Sequence, residues 1–279
     1  KLRLKGPLAR QQASVVLPLL LPDTPVVVWW PADAPAVPAD DQVGRMANRR
    51  ITDASTARRP LADLTGRTTS YHPGDTDLAW TRTTPWRSVL ATALDEPHEQ
   101  IIAATVSGER NNPGATLLAA WLQARLKVPA VVKNSRGPGI TGVVLKTKNG
   151  DIGLSRHDGR LAELTRTHGL SRKAPLPRRE LRELVSEELR RLDADEIYAE
   201  TLAELAKGLG EPARKSRSAK APVRSSKVAA TPASTAGAKP IAKRSPATRP
   251  ARRKVAAKDP SASPTQPTTA TKAKRKASK

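Results

Sequence analysis

Two carboxylates, two tryptophans and an arginine stand within the fourteen residues from Pro73 to Trp86, PGDTDLAWTRTTPW. Asp75 and Asp77 are of the type that performs general acid–base work, and Arg82 carries the planar fork that grips a carboxylate or phosphate through paired hydrogen bonds. Acid–base work at neutral pH needs one carboxyl pushed to a raised pKa, and nothing in the surrounding composition implies such an environment. The Pro-Gly turn just ahead favours a different use, in which Asp75 and Asp77 cap the turn and the segment behind it. Trp80 and Trp86 offer rigid amphipathic surface, and two readings stay open for them: core packing, or a hot spot against a partner or ligand. The segment reads as a recognition surface with no catalytic residue.

A second polar group lies upstream, where Arg49-Arg50 and Thr52-Asp53 follow the apolar run Val26 to Trp30 and the breaker Pro31. Should these residues converge with Asp75, Asp77, Trp80 and Arg82 beyond the ends of parallel strands, they would form a pocket for a sugar phosphate or nucleotide. Gly137-Pro138-Gly139-Ile140-Thr141-Gly142 spells the dinucleotide-binding glycine pattern. That pattern requires a helix behind it, whereas GVVLKTKNG reads as the start of a hairpin, so a glycine-rich turn is the better reading. His72, His98, His157 and His168 are scattered without ligand spacing, and no metal site or cofactor is expected.

The elements that would position these groups alternate. Pro7 to Leu21 has apolar residues near helical spacing and is expected to be a packed helix kinked at Pro18; Val26 to Trp30 is expected to be a strand buried on both faces. Gln42 to Ile51 is expected to be a short helix ahead of a capping cluster at Thr52 to Ser55. A helix at 86–94, a strand at 100–106, a helix at 115–126 and a strand at 131–132 follow, with an antiparallel hairpin over 142–159 turning at Asn149-Gly150. PRRELRELVSEELRRL is amphipathic, and Asp193 with Glu196 reads as the capping box of a last helix that stops at Gly208. The fold class is therefore α/β: a mixed sheet with flanking helices and C-terminal helices.

Composition divides the chain of 279 residues into an α/β domain over 1–210 and a tail over 211–279. All tryptophans, tyrosines and leucines precede residue 211. The tail holds 19 basic and two acidic residues and so carries +17 of the total charge of +23. Without leucine or aromatic residues it cannot bury enough surface to offset chain ordering, and it is expected to be disordered. Its clusters Arg252-Arg253-Lys254 and Lys274-Arg275-Lys276 resemble the Lys/Ala/Pro tails of linker histones, so weak, nonspecific nucleic-acid contact stands beside a merely solubilising role. The chain has no cysteine, which excludes disulfides and thiolate chemistry and fits a reducing cytoplasm; its apolar runs are too short to span a bilayer. The alternating KLRLK start without methionine reads as the end of an element that began upstream.

Several segments are distinctive: LPLLLPDTPVVVWWP at 17–31, RRITDAS at 49–55, YHPGDTDLAWTRTTPWRSVLATALD at 71–95, NPGATLLAAWLQARL at 112–126, GPGITGV at 137–143 and LPRRELRELVSEELRRLDADEIYAETL at 176–202. Together they resemble the glucose-6-phosphate dehydrogenase assembly proteins, the OpcA family, in its actinobacterial form. The resemblance implies a protein partner, glucose-6-phosphate dehydrogenase of the oxidative pentose phosphate pathway, and no reaction of its own.

Overall fold

The computed structural model describes residues 4–156, 158–167, 169 and 171–208. The start of KLRLK, His157, His168 and the tail, with Arg252, Arg253, Lys254, Lys274, Arg275 and Lys276, lie outside the described residues. Among the described residues no helix is long and apolar enough to cross a membrane.

The amino-terminal apolar stretch does not form the expected packed helix. It breaks into a 3-10 turn (Gly6–Arg10), a short helix α1 (Gln12–Val16) and another 3-10 turn (Leu17–Leu19). Pro7, Pro18 and Pro22 punctuate it, and an interior proline removes a helical donor and clashes with the preceding turn. Leu8, Leu17, Leu19 and Leu21 are each more than half exposed.

Strand β1 (Val27–Trp29) is likewise not buried on both faces. It is the edge of a three-stranded parallel sheet, and Trp29 is 37% exposed. The expected helix over 42–51 is replaced by a 3-10 turn (Gly44–Met46) and strand β2 (Arg49–Thr52), the centre of that sheet. Its cause is local: the Asn48 amide donates to the Val26 carbonyl at 2.8 Å, and the Asn48 side chain accepts from the Val26 amide at 2.9 Å. This clasp draws the next residues into register with β1, against the weak helix tendency of a run containing Gly44.

Helix α2 (Pro60–Ser70) leads to β3 (Asp75–Asp77), which closes the small sheet by pairing Arg50 with Asp75 and Thr52 with Asp77. The one-turn helix α3 (Leu78–Thr81) and α4 (Thr84–Asp95) follow. A six-stranded sheet then forms from β4 (Ile101–Gly108), β5 (Ala130–Asn134), β6 (Ile140–Thr147), β7 (Asp151–Ser155), β8 (Leu161–Arg166) and β9 (Arg172–Pro175), in the order β5-β4-β6-β7-β8-β9. Only β4 and β5 run parallel, joined by α5 (Pro113–Leu126) as a crossover; β6 to β9 meander through the expected hairpin. Two helices finish the described chain: α6 (Leu181–Glu188), shorter than its sequence pattern, and α7 (Glu196–Ala206), capped by Asp195 and not by Asp193.

Helix α5 is apolar on nearly every side because it is covered on nearly every side. Ala115, Leu118, Ala119 and Leu122 pack with Trp86, Leu90 and the large sheet, while Leu117 joins Leu64, Trp80, Tyr198 and Leu202 on the other flank. Trp121, half-buried, touches both groups. A helix with an apolar surface all round is stable only between two such layers.

Candidate functional site

The small parallel sheet gathers the polar residues that the sequence singles out. Side chains alternate across a strand, so Arg49 and Ile51 face one way and Arg50 and Thr52 the other. Arg49 meets α6: its Nη2 donates to Glu188 Oε2 at 2.5 Å and its Nη1 to the Asp193 carbonyl at 2.7 Å. Glu188 Oε1 also accepts from Thr81 at 2.6 Å, and Ile51 packs on Leu184 one turn earlier in α6.

On the opposite face Arg50 pairs with Asp75, its strand neighbour, and donates to the carbonyls of Ala47 and Pro73 at 2.8 and 2.5 Å. The turn that presents Asp75 depends on Gly74, whose φ of +93° is costly for any side chain and whose Cβ would strike the Asn48 carbonyl oxygen. Asp75 also receives the His72 amide at 2.8 Å. Next along, Asp77 accepts from Thr52 at 2.6 Å, from the Ala54 amide at 3.0 Å and from the Ala79 amide at 2.8 Å, which makes it the cap of α3. Burial pushes the Asp77 carboxyl above its ordinary value, opposed by these donors. The capping role expected of the two aspartates is thus carried by defined hydrogen bonds, and their oxygens are engaged inside the protein.

Trp80 and Trp86 are interior. Trp80 is 1% exposed, donates Nε1–H to Asp195 at 2.8 Å and lies against the Tyr198 ring. Arg87 covers its other side with the guanidinium 3.6 Å from the ring centroid, where burial lowers the arginine's pKa to about 10. Trp86 is buried in the large-sheet core. Of the eight residues singled out, Arg49, Arg50, Asp53, Asp75, Asp77, Trp80 and Trp86 are buried, and Arg82 reaches the surface. Arg82, its side chain one-third exposed, forks onto both oxygens of Asp53 at 2.7 and 2.8 Å, and Asp53 in turn caps the 3-10 turn over Ala54–Thr56. The Pro31 carbonyl accepts from the Thr56 hydroxyl of the same 3-10 turn at 3.0 Å.

A cleft of about 270 Å³ opens beside Arg82, between α4, the start of α5 and the loops before β6 and α6. Gly139 borders it, Gly137 and Gly139 both have positive φ, and the pattern runs on into β6, so no helix begins where a dinucleotide site would need one. Glu109 clips this loop to the end of β4 by accepting the Gly139 amide at 2.5 Å. Arg156, Arg178 and Arg179 also line the cleft, and no spacing in the sequence marks them. Glu188 does carry a readable signal: it falls four residues after Leu184, a carboxylate on the apolar side of an amphipathic helix. Among the described residues, no group of three or more His, Asp or Glu could hold a metal ion.

Two family profiles match in chain order, both describing a glucose-6-phosphate dehydrogenase subunit. Residues 1–69 match its N-terminal domain, and residues 73–202 match its C-terminal domain. A putative OxPP cycle protein OpcA from Synechocystis is 28% identical over 123 residues, which is 41% of this chain but only 26% of that relative. Among solved structures, the 3-ketoreductase KijD10 from Actinomadura kijaniata, in its open conformation, overlaps 68% of this chain and 77% of its own at 11% identity and a TM-score of 0.42. A second structure of the same reductase gives a TM-score of 0.36, also at 11% identity, over 59% of this chain and 71% of its own. The N-terminal and C-terminal domain matches follow each other here, over the same segments whose sequence is distinctive, and the chain belongs to the OpcA glucose-6-phosphate dehydrogenase assembly family.

Proposed function

We propose that this protein is a non-enzymatic assembly factor for glucose-6-phosphate dehydrogenase, a positive effector that binds the enzyme in the cytoplasm and favours its active oligomer. The observation that carries the reading is the ordered pair of family matches over 1–69 and 73–202. The commitment of Asp75 and Asp77 to backbone and side-chain donors agrees with it, since both carboxylates are buried and engaged within the protein. Binding promotes assembly only through a difference in affinity between the oligomer and its separate protomers.

Copurification of the full chain with the dehydrogenase, combined with a turnover assay and a sizing measurement, tests this. Added protein should raise turnover and shift the enzyme to larger species. An unchanged quaternary state and unchanged rate would end the proposal. Repeating the assay without residues 211–279 assigns the tail: activation that survives the deletion belongs to the folded part. Tail-dependent binding to nucleic acid that collapses as salt rises would mark a separate electrostatic role.

A further inference from the structure

Four arginines from three segments, Arg82, Arg156, Arg178 and Arg179, line the cleft, and they differ in their partners. Arg82 is neutralised by Asp53 and Arg179 by Glu187. Arg156 and Arg178 have no ion-pair partner among the described residues. Arg156 is only 6% exposed; its guanidinium donates to two backbone carbonyls, Leu176 at 3.1 Å and Ile140 at 2.9 Å, and lies over the Trp86 ring 5.0 Å from its centroid, while its Nε–H has no acceptor. Arg178 donates to the Pro138 carbonyl at 3.2 Å. Burial first, and the charge of Arg178 second, bring the Arg156 pKa down to about 10. Two acids lie near without forming an ion pair with either arginine: Glu109, which lines the cleft and holds the Gly139 amide, and the exposed Asp158, which accepts the amides of Arg160 and Leu161 and partly offsets the fall in the Arg156 pKa.

The backbone is shaped to hold these two arginines. Gly159 has a φ of +77°, and a Cβ there would collide with the Arg178 guanidinium, so the arginine lies directly over bare main chain. The Arg178 amide also donates to the Gly159 carbonyl at 3.1 Å. A buried cation with no ion-pair partner is costly, and a second guanidinium without one faces the same cleft of about 270 Å³, so two forks are set to receive an anion there. A carboxylate brings one negative charge. A phosphate monoester brings close to two at neutral pH, with three acceptor oxygens suited to guanidinium forks.

We propose that this cleft binds a small phosphorylated metabolite, its phosphate between Arg156 and Arg178 and its body against Trp86, Ile140 and the flanking prolines. The volume suits a sugar phosphate better than a dinucleotide. The inference stands apart from dehydrogenase association, because binding is measured on this protein alone.

The test is calorimetry on the full chain at physiological salt, with inorganic phosphate, glucose 6-phosphate, glucose and acetate as probes. Phosphate and glucose 6-phosphate should bind while glucose and acetate do not. Arg178→Ala, an exposed side chain, should weaken phosphate binding by about tenfold or more at an unchanged thermal midpoint, and Gly159→Ala should weaken it by displacing Arg178. Both variants keep the basic tail, so equal phosphate binding in wild type and Arg178→Ala would place the anion elsewhere and overturn the proposal. Binding of glucose as tight as that of glucose 6-phosphate, or absence of heat from every probe at about 10 mM, would overturn it as well.

Discussion

Asp77 has both oxygens occupied by donors from three segments, yet burial dominates and its carboxyl titrates above the ordinary 3.8. A raised folded-state pKa means that the folded protein holds this proton more tightly than the unfolded chain. The contribution of Asp77 is therefore fully present below its unfolded value and is lost as pH rises through the folded one. Melting curves of wild type and Asp77→Asn between about pH 4 and 7 should show the difference moving in favour of the variant as pH rises. Trp80 allows a second prediction: Trp80→Ala removes a fully buried ring and the donor to Asp195, and should destabilise by about 3–5 kcal/mol in a denaturant titration. Trp80 thus reports on folding, and Arg82 is the member of the segment suited to probe a partner. The importance of these residue types was legible from their density; their depth was not. Arg50 and Asp75 stand 25 positions apart, and only the parallel register of two strands makes them neighbours.

Strand β2 is short, highly charged and central, a combination that hydrophobic patterning cannot reveal. Its two arginines satisfy partners on opposite faces of the sheet, so the period-two signal is present in the charges and hidden from any apolar count. Long elements with ordinary cores, such as α5, β4 and the β6–β7 hairpin, were legible because their apolar spacing and turn residues agree. Helix α2, PLADLTGRTTS, was not, since just Leu64 and Arg67 of its eleven residues are buried. Helix α6 is held to the small sheet by Glu188 and by the packing of Leu184 and Val185 with Ile51 and Val27. Glu188→Ala should strand Arg49 as a buried, unpaired cation and cost about 3–5 kcal/mol, measured by equilibrium unfolding. Arg49→Met with Glu188→Leu should recover much of that loss, because an apolar pair of similar volume avoids burying charge.

At the scale of the whole molecule, the border between the two family matches falls between residues 69 and 73, in the turn after α2. The structure does not divide there. Strands β1 and β2 come from the first region and β3 from the second, and α2 packs through Leu64 beside Tyr198 and Leu202 of α7. Residues 4–70 and 71–208 expressed apart should each lack cooperative melting, while mixing them should restore a transition; independent sharp transitions for the two pieces would refute this. A seam that runs through the middle of a sheet also bears on heredity. Recombination that exchanged one region would keep the Arg50–Asp75 and Arg49–Glu188 pairings only where the incoming region carries the matching partner, which ties the inheritance of the two regions together.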